Sequence, residues 1–564
     1  MFIGIDVGGT FTDAVLTDGK TVIKKCKALT RHNNLISSLL EALDNVIQGQ
    51  DINQIQRVVL STTLITNIIA EKKYPPVALV LMPGPGLAYN DYSFGTLTHF
   101  VKGAIDYRGR EIVPIEPKEI VMAGADIITK GYKELAVVGK FCNRNSCHEL
   151  QAKETLEKHF PGINIGTGHS VSSQLNFPRR VATTMLTAAT RAVFTDFCEN
   201  VLQSLNKRKI SAQTFILKAD GGMLPLSYAL EAPVETIFSG PAASTLGAMS
   251  LSPKHQTSVV VDIGGTTTDL SLILSGEPLM ASKGAEVDGF LTQVRSFSVK
   301  SVPFGGDSTI VVKDRQISIL PSRSGPAYCF GGHDPTPTDA LRFLNRVYIG
   351  DSGRAVEIMT KLGQKVGKTP QETAEDIISQ SCQTIIQAIE QMFTSWEQEP
   401  AYRIWEVVQK SIIRPNNIIG VGGAAGGLIS DVAKQMDCQA IIPENCEVAN
   451  ALGAAVAQPT ITVNLRIDTE RGYYTVLQDG TTGNIPKGSG FTEEKALELA
   501  RDCLYRRAEN LGIKSFIKKI ETVSIEVFNM VRDWTTTGRI YDICVQTPQE
   551  ILFYLGQEGA PDEE

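Results

Sequence analysis

Two eight-residue segments hold the residues best suited to chemistry. Asp6-Val7-Gly8-Gly9-Thr10-Phe11-Thr12-Asp13 recurs as Asp262-Ile263-Gly264-Gly265-Thr266-Thr267-Thr268-Asp269, and the copies agree at Asp, Gly, Gly, Thr, Thr and Asp. Each follows a short apolar stretch, Phe2 to Ile5 and Val259 to Val261, and leads into another, Ala14 to Leu16 and Leu270 to Leu274. The repeated unit therefore reads strand, glycine turn, strand. Paired glycines let the backbone bend sharply and come close to a polyphosphate, so that N–H groups meet the anion. The following Thr adds a hydroxyl donor, and a carboxylate at a strand end can hold Mg2+ through its hydration shell. One Asp-x-Gly-Gly turn alone is more simply a hairpin. A hairpin has no need of a shared Thr-x-Thr-Asp, so the recurrence favours two phosphate loops gripping one triphosphate from both sides.

On this reading Asp6 and Asp262 are the metal-side groups, and they act with Thr10 and Thr266 on the phosphoryl group. The nucleotide is lined by Gly8, Gly9, Thr10, Asp13, Gly264, Gly265, Thr266 and Asp269. Asp13 and Asp269 are equally suited to bracing the loops. A third glycine cluster, Gly420, Gly422, Gly423, Gly426 and Gly427, follows the apolar Ile418-Ile419 and precedes a helix expected from about Leu428 to Gln435. Backbone without side chains before a helix admits an adenine ring or a phosphate, and Gly422 and Gly423 are the candidates; a tightly packed strand-to-helix turn is the alternative. Gly363 to Thr369 imitates a P-loop but has three residues between its glycines where four are needed. Thr369-Pro370-Gln371-Glu372 reads instead as an N-cap, Pro at N1 and a capping-box Glu. Cys142, Cys147 and His148 are too few and too isolated for a zinc site and read as small buried hydrophobes. His333, Asp334 and Asp339 fall near a cleft loop or in a structural loop around neighbouring prolines.

The elements that must position these groups are short strands alternating with amphipathic helices. A meander at Phe2 to Val7, Thr12 to Thr17 and Thr21 to Lys27 precedes a helix in which Leu35, Ile36, Leu39, Leu40, Leu43 and Val46 recur at helical spacing. Apolar runs at Val58 to Leu60, Val77 to Met82 and Leu135 to Val138, with helices between, indicate an α/β sheet. A helix from about Pro178 to Leu205 leads into a strand at Thr214 to Lys218 and bridges to a strand-rich block from Ser258 to Ile319. A further amphipathic helix spans Gln371 to Phe393. After about residue 460 the texture changes to an appended α+β region, expected to be separable, with a disordered acidic tail at Gly556 to Glu564. The expected organisation is a first half at 1–175, a second half at 176–459 and the small region at 460–564.

The chain has 564 residues, with 54 Lys plus Arg against 61 Asp plus Glu. No basic stripe with interleaved aromatics is present, which argues against nucleic acid as partner. The longest apolar run, Val77 to Met82, falls far short of the ~20 residues a membrane span needs. With no signal-like start and ten scattered cysteines, a soluble, cytoplasmic protein is expected.

Taken together, the residues resemble the hydantoinase A and 5-oxoprolinase family, within the superfamily of acetate and sugar kinases, Hsp70 and actin. The resemblance covers about residues 1–460. It rests on Gly4 to Asp13, Thr62-Thr63 with Asn67, Ala219-Asp220-Gly221-Gly222, Ser239-Gly240-Pro241-Ala242, the second loop at Asp262 and Pro335-Thr336-Pro337-Thr338-Asp339-Ala340. It implies an α/β fold of two actin-like (ribonuclease H-like) halves with a nucleotide cleft between them, and ATP with Mg2+ as cofactors. It also implies a reaction in which ATP activates the carbonyl of a cyclic amide (hydantoin, 5-oxoproline or a lactam) for opening with a B-type partner subunit. The alternatives are the ATP-dependent subunit of a ketone carboxylase, or an ATP-driven reactivator with no phosphorylated substrate. The sequence departs from the family at Phe304-Gly305-Gly306-Asp307-Ser308, where Asp and Ser stand at usual glycines. It departs also in the loop from Pro83 to Phe94 and in the Val-Gly-Gly-Ala-Ala of the third glycine cluster.

Overall fold

In the computed structural model the described residues are 1–31, 34–86, 94–253, 256–399, 413–488, 490–532 and 534–555. The first sheet has six strands in the order Met223–Pro225, Gln213–Leu217, Arg57–Thr62, Phe2–Val7, Phe11–Thr17, Val22–Leu29. Phe2–Val7 pairs antiparallel with Phe11–Thr17 across the glycine turn and parallel with Arg57–Thr62. The crossover to the parallel partner is made by the helix Leu35–Ile47, whose N-cap Asn34 accepts the Ser37 N–H and which buries Leu39, Ala42, Leu43 and Val46. The helix Phe177–Lys207 returns the chain beside Arg57–Thr62, where Gln213–Leu217 pairs in parallel. The sequence expectation placed residues after 175 in a second half. The strand following this helix nevertheless belongs to the first sheet, as a parallel crossover usually delivers it.

A second sheet repeats the arrangement. Ser258–Ile263 pairs antiparallel with Thr268–Leu274 and parallel with Asn417–Val421, so each phosphate-loop candidate sits between a hairpin and a parallel neighbour. Glu277–Pro278, Val299–Val302 and Gln439–Ile441 complete this sheet. Two helices separate the sheets, Ser239–Leu251 and Ala449–Val456. Their backbones touch. A Cβ on Gly247 would stand 2.0 Å from the Ala449 carbonyl oxygen, one on Gly453 1.8 Å from that of Ala243, and one on Gly4 1.9 Å from that of Ala451. No side chain fits at these three positions, so the hairpin of the first loop, the short helix and its partner helix form one close stack.

Residues 77–167 form a separate four-stranded parallel sheet, in the order Asn164–Thr167, Glu134–Gly139, Val77–Met82, Thr98–Phe100. At the C-terminal end a five-stranded antiparallel sheet, including Thr462–Asp468, Glu521–Arg532 and Thr535–Gln546, packs on the helix Glu493–Asn510. Its core is not self-contained. Leu465, Tyr541 and Val545 share one buried cluster with Val59, Phe215 and Ala243, so the apolar face of this sheet is covered by the first two sheets and their helix, which argues against the expected separability. Among the described residues no helix is long and apolar enough to cross a membrane. The tail at 556–564 and most of the loop between Pro83 and Phe94 lie outside the described residues.

Candidate functional site

The two repeated segments adopt the same turn. The Gly8 N–H bonds the Phe11 carbonyl at 3.1 Å and the Gly264 N–H bonds the Thr267 carbonyl at 3.0 Å. The register places Asp6 opposite Asp13 and Asp262 opposite Asp269. Among the described residues the N–H groups of Gly9, Thr10, Gly265 and Thr266 make no intramolecular hydrogen bond, and unpaired donors at a loop tip are what an anion needs.

The two loops meet through a residue the sequence reading missed. Asn450, in the helix Ala449–Val456, donates from Nδ2 to Asp6 Oδ2 at 3.4 Å and to Asp262 Oδ2 at 3.3 Å. Asp6 is 5% exposed and its Oδ1 has no hydrogen-bond partner. Burial, then the nearby charges of Asp13 and Asp262, push the Asp6 carboxyl up to about 7, and burial raises Asp262 as well. An orphaned carboxylate oxygen beside a second carboxylate fits a hydrated divalent cation, whose positive charge would offset both costs. Asp6 and Asp262 are the residues that would hold Mg2+.

Asp13 sits in a brace. Lys27 Nζ reaches its two oxygens at 2.8 and 2.7 Å and also the Glu447 carbonyl at 2.9 Å, tying the first hairpin to the turn before Asn450. Burial still raises Asp13 to about 6, with Lys27 opposing, and burial raises Asp269 to about 6. Around the second loop the segment expected to be glycine-rich is laced to the turn: Gly306 N–H bonds the Gly264 carbonyl at 2.9 Å and Asp307 N–H bonds the Gly265 carbonyl at 2.8 Å. Arg323, also missed, donates to Thr10 Oγ1 at 3.1 Å, while its other terminal nitrogen lies 3.1 Å from Asp307 Oδ2. Thr266 is exposed at the second loop's tip.

The third glycine cluster lies beside the second loop. Asn417–Val421 ends against Asp262, and the helix Ala425–Gln435 follows, starting three residues earlier than expected. Gly422 has φ +89°, and a Cβ there would meet the Ile263 carbonyl oxygen at 2.6 Å and Asp262 Oδ1 at 2.8 Å. Gly423 is exposed with open space around it.

The other candidates are placed by their partners. Asp339 accepts from the backbone of Tyr328, Cys329 and Thr336 and from the Thr336 hydroxyl, forming the capping box of the helix Pro337–Phe343. Asp334 accepts from Ser324, and His333 is exposed. Thr369 and Glu372 form the expected capping box. Cys142 is buried, which pushes its thiol well up, but Cys147 is exposed, contrary to the reading of it as a small buried hydrophobe, and its ligand atom lies within 4.8 Å of those of His148 and Glu111, a group that could hold a metal ion. His148 Nε2 and Glu111 Oε1 are directly paired at 2.8 Å. Asp220 lines a cavity of about 230 Å3 with Lys218, Arg295, His169 and Thr460. Burial opposes its ionisation, but Lys218 and Arg295 outweigh that and hold the carboxyl below its ordinary value.

Asn450 carried no motif; its only trace in the sequence is the run of small residues from Ala449 to Ala455, which signals close backbone approach. Arg323 stands in a loop with no pattern of its own.

Comparison with known proteins bears on the fold and the family. The Pseudomonas jessenii caprolactamase subunit alpha is 24% identical over 518 residues, covering 83% of this chain and 72% of that protein. The structure of the ATP-dependent caprolactamase from the same organism matches with a TM-score of 0.71 at 19% identity, covering 99% of this chain and 89% of that one. A nucleotide-free structure of acetone carboxylase matches with a TM-score of 0.68 at 17% identity, covering 98% and 88%. At such identities these likenesses show a shared mixed α/β fold. The hydantoinase/oxoprolinase family model matches residues 180–463 and that of the hydantoinase/oxoprolinase N-terminal region matches residues 2–160; the chain belongs to the hydantoinase/oxoprolinase family.

Proposed function

We propose that this chain is the ATP-dependent, phosphoryl-transferring subunit of a two-subunit enzyme that activates the carbonyl of a small cyclic amide, a hydantoin, 5-oxoproline or a lactam. The observation that carries the reading is the convergence of Asp6 and Asp262 on Asn450, beneath two loops whose tip N–H groups are unpaired. The likeness to a caprolactamase described as ATP-dependent supports the nucleotide and the cyclic amide.

In this reading the residues divide the work as follows. Backbone N–H groups of Gly9, Thr10, Gly265 and Thr266 bind phosphate oxygens, and the Thr10 and Thr266 hydroxyls add donors. Asp6 and Asp262 hold the hydration shell of Mg2+, which when bound supplies charge neutralisation on the phosphates. Gly8, Gly264, Gly422 and Gly423 keep the approach open, and Asp13 and Asp269 hold the two hairpins in place. An amide oxygen is a poor nucleophile, so the acceleration comes from positioning and electrostatics. We assign the first half of the nucleotide cleft to the sheet of Phe2–Val7 with its late strands Gln213–Leu217 and Met223–Pro225, the second to the sheet of Ser258–Ile263 up to about residue 459, and a C-terminal region at 460–564 that shares their core, in an actin-like arrangement. The ten cysteines are all unpaired, which suits the cytoplasm. The partner is a B-type subunit, which receives the short-lived phosphorylated carbonyl across a closed interface.

The test measures ADP and product release by the purified chain with hydantoin, 5-oxoproline or caprolactam, before and after adding a B-type subunit. Slow hydrolysis alone and coupled product formation with the partner are expected. Stoichiometric ring-opened product from the single chain would sink the two-subunit reading. Coupling with a ketone and bicarbonate but with no cyclic amide would move the chain to the carboxylase branch.

A further inference from the structure

Two side chains cross from one repeated loop to the other. Asn450 does so at the carboxylates. The second is Arg323, whose place in the loop between the strand Gln316–Ile319 and Pro326 no motif marks.

Its guanidinium is held from three directions. One terminal nitrogen donates to Thr10 Oγ1 in the first loop at 3.1 Å, the other faces Asp307 Oδ2 at 3.1 Å, and Nε donates to the Gly325 carbonyl at 3.0 Å. Asp307 is itself fixed to the second loop through its N–H on the Gly265 carbonyl at 2.8 Å. A Cβ built on Gly265 would lie 3.7 Å from the Arg323 terminal nitrogen and 2.9 Å from Asp307 Oδ2. The cation therefore touches the first loop directly at Thr10 and is tied to the second through Asp307. Hydrogen bonds to Thr10 and Gly325 use two of its five N–H donors, the Asp307 contact is an ion pair, and the side chain is 25% exposed, so donors remain for an anion.

We propose that Arg323 is the ligand of the terminal phosphate, with Asp307 as the residue that positions it. The assignment rests on the reading of the paired loops as an ATP site and adds what that reading leaves open: which group distinguishes ATP from ADP. Backbone N–H groups are spread along both loops and serve any phosphate. A guanidinium fixed where the loops meet serves the phosphate that lies there, and a fork-shaped cation suits phosphate oxygens better than a point charge. The Asp at a usual family glycine, position 307, then has a purpose: it tethers the arginine to the second loop.

The experiment is calorimetric titration of the full chain with ATP and with ADP in Mg2+ buffer, for wild type, Arg323→Gln and Arg323→Lys. Loss of one charge-assisted contact is expected to weaken ATP binding by about tenfold or more in Arg323→Gln. ADP affinity should change by less than about twofold, because the contacted phosphate is absent from it. Arg323→Lys, which keeps charge and stem, should lie between them, and it provides the comparison if the Gln variant fails to fold. A merely structural arginine would lower both affinities alike, so an unchanged ATP-to-ADP ratio in either variant overturns the assignment. Wild type that binds neither nucleotide overturns the ATP reading and this assignment with it; wild type that binds both with an unchanged ratio in the variants overturns this assignment alone.

Discussion

At the scale of single residues, the site is organised around carboxylates held where water cannot fully solvate them. Asp6→Asn and Asp262→Asn should each reduce Mg2+-dependent ATP turnover by at least ~100-fold, the scale at which a transition-state charge contact is lost. The unfolding midpoint should hardly fall, because burial disfavours the charge that each variant removes. Full turnover in both variants would show that the loops have another use. The pH dependence follows from the same burial. The folded chain keeps protons on Asp6 up to about 7 and on Asp13 and Asp269 up to about 6, whereas unfolded aspartates release theirs near ~4. The folded state thus binds more protons between these limits, and these groups make stability fall as pH rises through that window. In EDTA, wild type should lose thermal stability relative to Asp6→Asn as pH rises from about 4 to about 7. Mg2+ should restore more at the upper end, where the carboxylates are ionised. A difference that stays flat or reverses sign would refute the burial argument.

Among the elements, the short helix Ala449–Val456 decides most, because it places Asn450 between the loops and lies on the first hairpin and on the helix Ser239–Leu251 without room for a Cβ at Gly4, Gly247 or Gly453. Gly453→Val should cost about 3 kcal/mol in denaturant unfolding, the upper end for overpacking, since backbone atoms cannot yield as a side chain does. A loss under ~1 kcal/mol would mean that the helix shifts freely. Asn450→Ala removes the shared donor and leaves two carboxylates facing each other. It should lower Mg2+-dependent turnover with little change in the fold, read by circular dichroism alongside activity; unaltered turnover would make Asn450 a bystander.

Across the whole molecule, the C-terminal sheet behaves as part of one body. Beyond the shared apolar core, Asp542 is paired with Arg466 at 2.6 Å and with Arg144 at 3.0 Å, the latter from the sheet of residues 77–167. A chain ending at Pro459 should therefore be insoluble or expose apolar surface to a hydrophobic dye. A monomeric truncation that still binds ATP with wild-type affinity would show the cores to be independent. Asp542→Ala leaves two poorly exposed guanidinium groups facing each other and should cost ~3 kcal/mol or more, measured by denaturant unfolding.

The local elements and the repeated turn of the two loops are legible in the linear chain. Strand alternation, helical spacing at Leu35 to Val46 and Gln371 to Phe393, and the capping box at Thr369 are properties of neighbouring residues, so a linear reading recovers them. The same holds for the repeated Asp-x-Gly-Gly-Thr-x-Thr-Asp, where both copies carry the same turn. Only the tertiary structure decided what those loops face. It placed the strand after the helix Phe177–Lys207 in the first sheet, drew the C-terminal sheet into a common core, and brought Asn450 to both Asp6 and Asp262 and Arg323 to Thr10. These contacts join residues up to 444 positions apart, and no local pattern encodes them. They arise because two sheets bury their apolar faces against glycine-lined helices, and the polar groups at that junction must then satisfy one another.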